Sequence, residues 1–162
     1  MATGTIPKEF PGVTPHIVVK DAQAAIDFTA ELFGAEVLGG QKDADGHWWY
    51  CELLINNGRF MVSHELPEMG FVSPLAVGGT PVQLHIYVTD VDAVFEKALA
   101  AGAKPVTALQ DHYWGDRSGR IEDPFGHIWT LSTRLKKIPN DELYRLGDEE
   151  VARRQSQMPD PV

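Results

Sequence analysis

The hydrophobic and polar positions of this chain fall into one pattern written twice. Val13, Ile17 and Val19 alternate with Thr14, His16, Val18 and Lys20, the two-residue period of a half-buried strand. Asp21 then takes the N-cap position of a helix over 22–33, whose apolar stripe includes Ala22, Ala25, Ile26, Phe28, Leu32 and Phe33, and Gly34 stops it. Residues 35–38 read as a short strand broken by Gly39 and Gly40. Residues 48–55 form a strand with aromatics on both faces, and Asn56-Asn57-Gly58 is a hairpin signal, because Asn and Gly tolerate the positive φ of a tight turn. Residues 59–64 return.

The second writing begins after a Gly/Pro-rich connection at 67–80. It has a strand over 82–88, a helix over 91–101 capped by Asp90 and ended by Gly102, and a strand over 104–109. A loop over 113–119 leads to a strand starting at 120–122, the turn Asp123-Pro124-Phe125-Gly126 and a closing strand over 127–133. Laid on each other, the copies match His16 to His85, Val19 to Val88, Asp21 to Asp90 and Ile26 to Phe95. A repeat of this length is one supersecondary unit that cannot bury both of its faces alone. The pattern therefore predicts an α+β fold: two β-α-β-β-β modules, 13–65 and 81–134, in one domain over 12–134. Each helix covers the more apolar face of its sheet. The other faces, with Thr14, His16 and Val18 in one and Gln83, His85 and Tyr87 in the other, line a curved open barrel. Beyond it, 135–162 is a helical extension, with a helix from Pro139-Asn140-Asp141-Glu142 to about Gln155 and a frayed end at 158–162.

Composition narrows the partners. The 162 residues carry a formal net charge of −9, which argues against nucleic acid and acidic membrane surfaces. Cys51 is the single cysteine, in keeping with a reducing compartment. No apolar run reaches membrane-spanning length, and 1–13 has no apolar signal core, so the expectation is a cytoplasmic protein with a small-molecule ligand.

The stretches VKDA…AIDF and HIYVTDVDAVFEKALAAGA…DPFGHIW, with Trp114-Gly115-Asp116-Arg117 ahead of the second turn, resemble the vicinal oxygen chelate superfamily of glyoxalase I, extradiol dioxygenases, epimerases and bleomycin-resistance proteins. The resemblance covers about 12–134. It implies the paired-module glyoxalase/bleomycin-resistance/dihydroxybiphenyl dioxygenase fold, and a homodimer. It also implies a metal held by one ligand from the first and one from the last strand of each copy. Those positions here read Thr14, Val62, Gln83 and Thr130, of which only Gln83 is a plausible ligand.

Two residues further along the same strands stand His16, His64, His85 and Ser132. A step of two keeps a side chain on the same face, so the three histidines are the candidate ligands of one divalent transition metal (Zn, Fe, Ni or Mn), with Glu52 as fourth ligand or base. The competing reading makes His16 and His85 pocket-lining hydrogen-bonding groups and His64 a wet strand end. Trp48, Tyr50, Tyr87 and Trp114 are candidates to stack on a flat ligand, or else pack the core or a dimer interface. Gln83 and Arg117 complete the candidate ligand-binding set, although Asp116 and Arg117 can equally form a structural ion pair with Arg120 or Glu122. His127 is expected outside the pocket. Two functions follow: a metal-assisted lyase, isomerase or dioxygenase, or a protein that binds an aromatic or oxygen-rich metabolite or antibiotic without catalysis.

Overall fold

A computed structural model describes residues 4–10 and 12–157; the end expected to fray, 158–162, lies outside the described residues. The repeat is built as the pattern predicts. The first module is β1 (His16–Val19), α1 (Ala22–Phe33), β2 (Glu36–Lys42), β3 (Trp48–Ile55) and β4 (Gly58–His64). A connection containing a 3₁₀ turn (Pro67–Met69) and the short helix α2 (Pro74–Val77) leads to the second module. That module is β5 (Gln83–Tyr87), α3 (Val91–Ala100), β6 (Lys104–Asp111), β7 (Asp116–Glu122) and β8 (Ile128–Arg134), and α4 (Asn140–Gln155) follows. The sheets have the orders β1-β4-β3-β2 and β5-β8-β7-β6, each with one parallel pair at the first-strand edge, and neither closes into a barrel.

The local signals act as expected. Asp21 accepts from Ala24 N at 3.0 Å and Asp90 from Ala93 N at 3.0 Å, so both helices start on an aspartate cap. Gly34 closes α1 in the left-handed conformation, φ 66°. Asn56 and Asn57, φ 48° and 65°, are the two central residues of the β3–β4 hairpin.

Two elements differ from the reading of the sequence. Gly39 and Gly40 do not end β2; the strand runs through them with a bulge after Val37, and a side chain at Gly40 would place its Cβ 2.1 Å from the Tyr50 carbonyl oxygen. β7 begins at Asp116, so Asp116 and Arg117 lie in the sheet and not on a loop. The C-terminal helix α4 runs over Asn140–Gln155 as the pattern predicts; it has no buried residue, and Tyr144 and Val151 are exposed.

One core serves both modules. Leu53, Val62, Ile121 and Leu131 are fully buried on the helix-facing sides of the two sheets, each worth about 1.5–3 kcal/mol of burial. Trp129 of β8 reaches Phe33 and Phe60 of the first module, with ring centroids 4.9 and 5.6 Å away. Its indole donates to the buried Asp123 carboxylate at 2.9 Å. Each module's hairpin end also caps the first strand of the other. The Asn56 amide donates to Tyr87 O at 2.7 Å, and the His127 ring lies 3.1 Å from Val18 O, the equivalent carbonyl on β1.

Candidate functional site

The faces turned away from the helices are the candidate surfaces, and each carries the same pair. His16 Nε2 meets Ser63 Oγ at 2.5 Å, and His85 Nε2 meets Ser132 Oγ at 2.9 Å. The partner of His16 is thus Ser63, one residue before His64. Strand pairing explains the difference: Val18 lies opposite Ser63 and Val19 opposite His64, so Met61 and Ser63 share the face of His16 while Val62 and His64 take the helix-facing side. His64 is exposed at the strand end and lines a cavity of about 480 Å³ with Asp43, His47, Trp48, Trp49 and Leu66.

The three histidines are therefore not gathered. Among the described residues the only group of three His, Cys, Asp or Glu whose ligand atoms lie within 4.8 Å of one another is Asp43, Asp45 and His47, all exposed. That cluster is a turn in which Asp43 accepts from Asp45 N and His47 N at 3.0 and 2.9 Å. The family's ligand positions, with Met61 in place of Val62, read Thr14, Met61, Gln83 and Thr130. A thioether, two hydroxyls and an amide do not make a donor set for a divalent transition metal. Glu52 is not open either, since Tyr50 OH and Arg59 Nη1 each hydrogen-bond one of its carboxylate oxygens. Burial, and then the hydrogen bond to Glu52, push the Tyr50 phenol up to about 12.

The first sheet gathers aromatic groups around His16. A register shift between Gln41 and Lys42 leaves Trp49 as the extra residue of a bulge, because Lys42 pairs with Trp48 and Gln41 with Tyr50. The bulge changes which tryptophan faces the site. Trp48 packs against the core and donates its indole N–H to Gln23 of α1 at 3.0 Å, whereas Trp49 lines a cavity with His16 and Tyr50. The inter-module connection folds back to form the remaining wall. Leu66 and Phe71 are bridged to each other, and the Phe71 ring lies 5.6 Å from His16. This cavity of about 250 Å³ is also lined by Gln41, Ser63 and Met69. Desolvation holds the His16 imidazole below its ordinary value, favouring the neutral ring.

The second sheet is polar. Tyr87 stacks on His85 at 5.1 Å and donates to Asp116 Oδ2 at 2.6 Å, and Arg134 pairs with the other oxygen of that carboxylate. Burial works to raise the Asp116 carboxyl, but the Tyr87 hydroxyl and Arg134 outweigh it and keep it below the usual range. Gln83, His85 and Tyr87 also line a groove of about 620 Å³ with Thr14 and Arg59 of the first module. Two candidates fall elsewhere. Arg117 is held by Asp92 and Asp111, outside the concave face. Trp114 is stacked on His112 at 3.9 Å in the β6–β7 turn. Trp49, Met69 and Phe71 were not legible as site residues, because a bulge and a connection placed them there. His127 is buried at the junction of the modules, where its ring contacts Val18 O and lines neither cavity.

Known proteins share this architecture. The family model of the Glyoxalase/Bleomycin resistance protein/Dioxygenase superfamily matches residues 13–131. Uncharacterised proteins of Mycobacterium bovis and Mycobacterium tuberculosis are 45% identical over 136 residues, covering 82% of this chain and 90% and 80% of theirs. TioX from Micromonospora sp. ML1 is similar in structure, with a TM-score of 0.58 and 29% identity over 79% of this chain and 99% of that one. The fosfomycin resistance protein FosX from Listeria monocytogenes, solved with Mn(II) and sulfate, shares the fold at a TM-score of 0.61 and 18% identity, covering 84% of this chain and 98% of its own.

Proposed function

The chain belongs to the Glyoxalase/Bleomycin resistance protein/Dioxygenase superfamily, and from that premise we propose that it binds a flat aromatic small molecule on the concave face of its first sheet, without a metal at the family's ligand positions. The observation that carries this reading is the convergence of Trp49, Tyr50 and Phe71 on the neutral His16 ring. Aromatic walls supply stacking area at low entropic cost, and the His16–Ser63 pair offers a hydrogen bond to a ring heteroatom or hydroxyl. About 250 Å³ holds one small ring system and lies just below the usual range of ligand-pocket volumes, which begins at about 300 Å³. Binding, not metal-assisted catalysis, is the reading that Thr14, Met61, Gln83 and Thr130 support. We read the assembly as a homodimer, which gives the exposed Met69, Val72, Leu75 and Val77 of the inter-module connection a surface to bury against.

Calorimetric titration with 2-naphthol, a neutral flat probe, tests the site. The wild type is expected to bind saturably and Trp49→Ala about tenfold more weakly, the size of one lost stacking partner. Equal binding by both proteins would overturn the reading. So would a stoichiometric transition metal in the untagged protein that disappears in His16→Ala.

A further inference from the structure

The chain holds 23 acidic and 14 basic residues, so a basic side chain has carboxylates at hand in excess. Six of the seven arginines take one: Arg59 with Glu52, Arg117 with Asp92 and Asp111, Arg134 with Asp116, Arg145 with Glu149, and Arg153 and Arg154 with Glu150. Among the described residues the exception is Arg120, which pairs with no carboxylate. It is half-buried in β7, an inner strand of the second sheet, where a guanidinium gives up hydration and ordinarily recovers it in an ion pair. The carboxylate nearest in sequence on the same face, Glu122, pairs with Lys104 instead. Among the described residues the hydrogen-bonding partner of the Arg120 side chain is the Thr107 hydroxyl, 3.5 Å from Nε, and both terminal amino groups of the fork are open to a partner from outside.

The surroundings of that fork match an oxyanion. Gly119 and Ile121 are buried toward the helix, so Arg120 stands on the opposite, concave face with Ser118. Directly across the ladder lies Thr130, and beyond it on β5 lies His85, giving a row of Arg120, Thr130 and His85 over three neighbouring strands. Facing side chains on adjacent strands are about 5 Å apart, close enough for one tetrahedral or planar oxyanion to take a forked guanidinium bond and a hydroxyl bond together. Two carboxylates share this face of β7 and each has its own cation, Glu122 with Lys104 and Asp116 with Arg134, the latter also accepting from the Tyr87 hydroxyl, which lessens their repulsion of an incoming anion.

We propose that Arg120, with Thr130 beside it, is an oxyanion-binding subsite on the concave face of the second sheet, taking a carboxylate or a phosphate. It lies on the other module from the aromatic cavity and stands independently of it. The subsite gives an anionic group a point of recognition in a chain whose net charge of −9 otherwise repels anions.

Titration with inorganic phosphate and, separately, with acetate at pH 7 tests this on the full chain. Saturable binding of at least one of them is expected in the wild type, weakened at least tenfold in Arg120→Gln, partly retained in Arg120→Lys, and unchanged in Arg145→Gln, which makes the same charge change on α4. The stronger of the two probes identifies the oxyanion class. No binding of either probe by the wild type, or equal losses in Arg120→Gln and Arg145→Gln, overturns the subsite. Neither result bears on the response to 2-naphthol, so the two proposals fail separately. If Arg120→Gln is poorly folded, a retained difference between Arg120→Lys and the wild type in phosphate affinity decides the matter. Identical affinities there count against the forked geometry.

Discussion

The two sheets share a histidine–serine pair and differ in almost everything around it. His16 and Ser63 stand among Trp49, Tyr50 and Phe71; His85 and Ser132 stand among Tyr87, Thr130 and Arg120. Each face also has its own tyrosine, carboxylate and arginine set, Tyr50–Glu52–Arg59 in one and Tyr87–Asp116–Arg134 in the other. The repeat preserves what the backbone needs: the capping aspartates, the strand order and the reciprocal contacts to Val18 O and Tyr87 O. Side chains on the open faces are under no such demand and have become aromatic on one side and polar on the other. Duplication thus supplies two copies of a scaffold and leaves two different surfaces for recognition.

That contrast can be broken or sharpened by experiment. The largest effect is expected at the shared core. Trp129→Ala should cost about 3–5 kcal/mol of unfolding free energy in a denaturant titration. The residue is buried against Phe33 and Phe60 of the first module, so its loss should uncouple the two modules as well as weaken the second. A single, equally steep transition in the variant would show that the modules do not depend on this contact.

Next come the reciprocal junctions. His127 is buried and Asn56 exposed, so His127→Ala should cost about 1–3 kcal/mol and Asn56→Ala about 1 kcal/mol, the first leaving a part-buried carbonyl unpaired. Equal costs, read from denaturation midpoints, would mean the two junctions are energetically the same despite their burial.

The smallest effect is a pH dependence at the first His–Ser pair. Burial depresses the folded-state pKa of His16 below the ordinary imidazole value of 6.5, so the unfolded chain binds the proton at higher pH than the folded chain. The contribution of His16 is fully present above pH 6.5 and is lost as the pH falls through 6.5 towards the folded value. Denaturation midpoints at pH 7.5 and 5.5 should differ less in His16→Asn than in the wild type; an unchanged difference would remove His16 as a source of acid sensitivity.

How much of this was legible in the chain depends on which physical rule was at work. Helix α1 runs from Ala22 to Phe33 as the pattern predicts, because an Asp cap, a 3.6-residue apolar stripe and a left-handed glycine are all local signals. The hairpin at Asn56-Asn57 and the paired histidines were legible for the same reason. The positions of His64 and Trp48 were not. Alternation within a strand says only that His64 and Ser63 face opposite ways, and the parallel pairing of β4 with β1 decides which of them joins His16. Trp48 lost its place to Trp49 through one inserted residue in the β2–β3 ladder, a shift that leaves no mark in the hydrophobic pattern.

The sequence by itself determined the duplicated β-α-β-β-β architecture with its caps and turns, because these rest on short-range periodicity. Only the tertiary structure decided that His16, His64 and His85 stand on different sheet faces, that the connection between the modules returns to wall one of them with Phe71, and that, among the described residues, Arg120 alone of the arginines is left without a carboxylate. Those outcomes depend on strand register and on contacts between residues far apart in the chain, where a displacement of one residue exchanges the inside of a sheet for its outside.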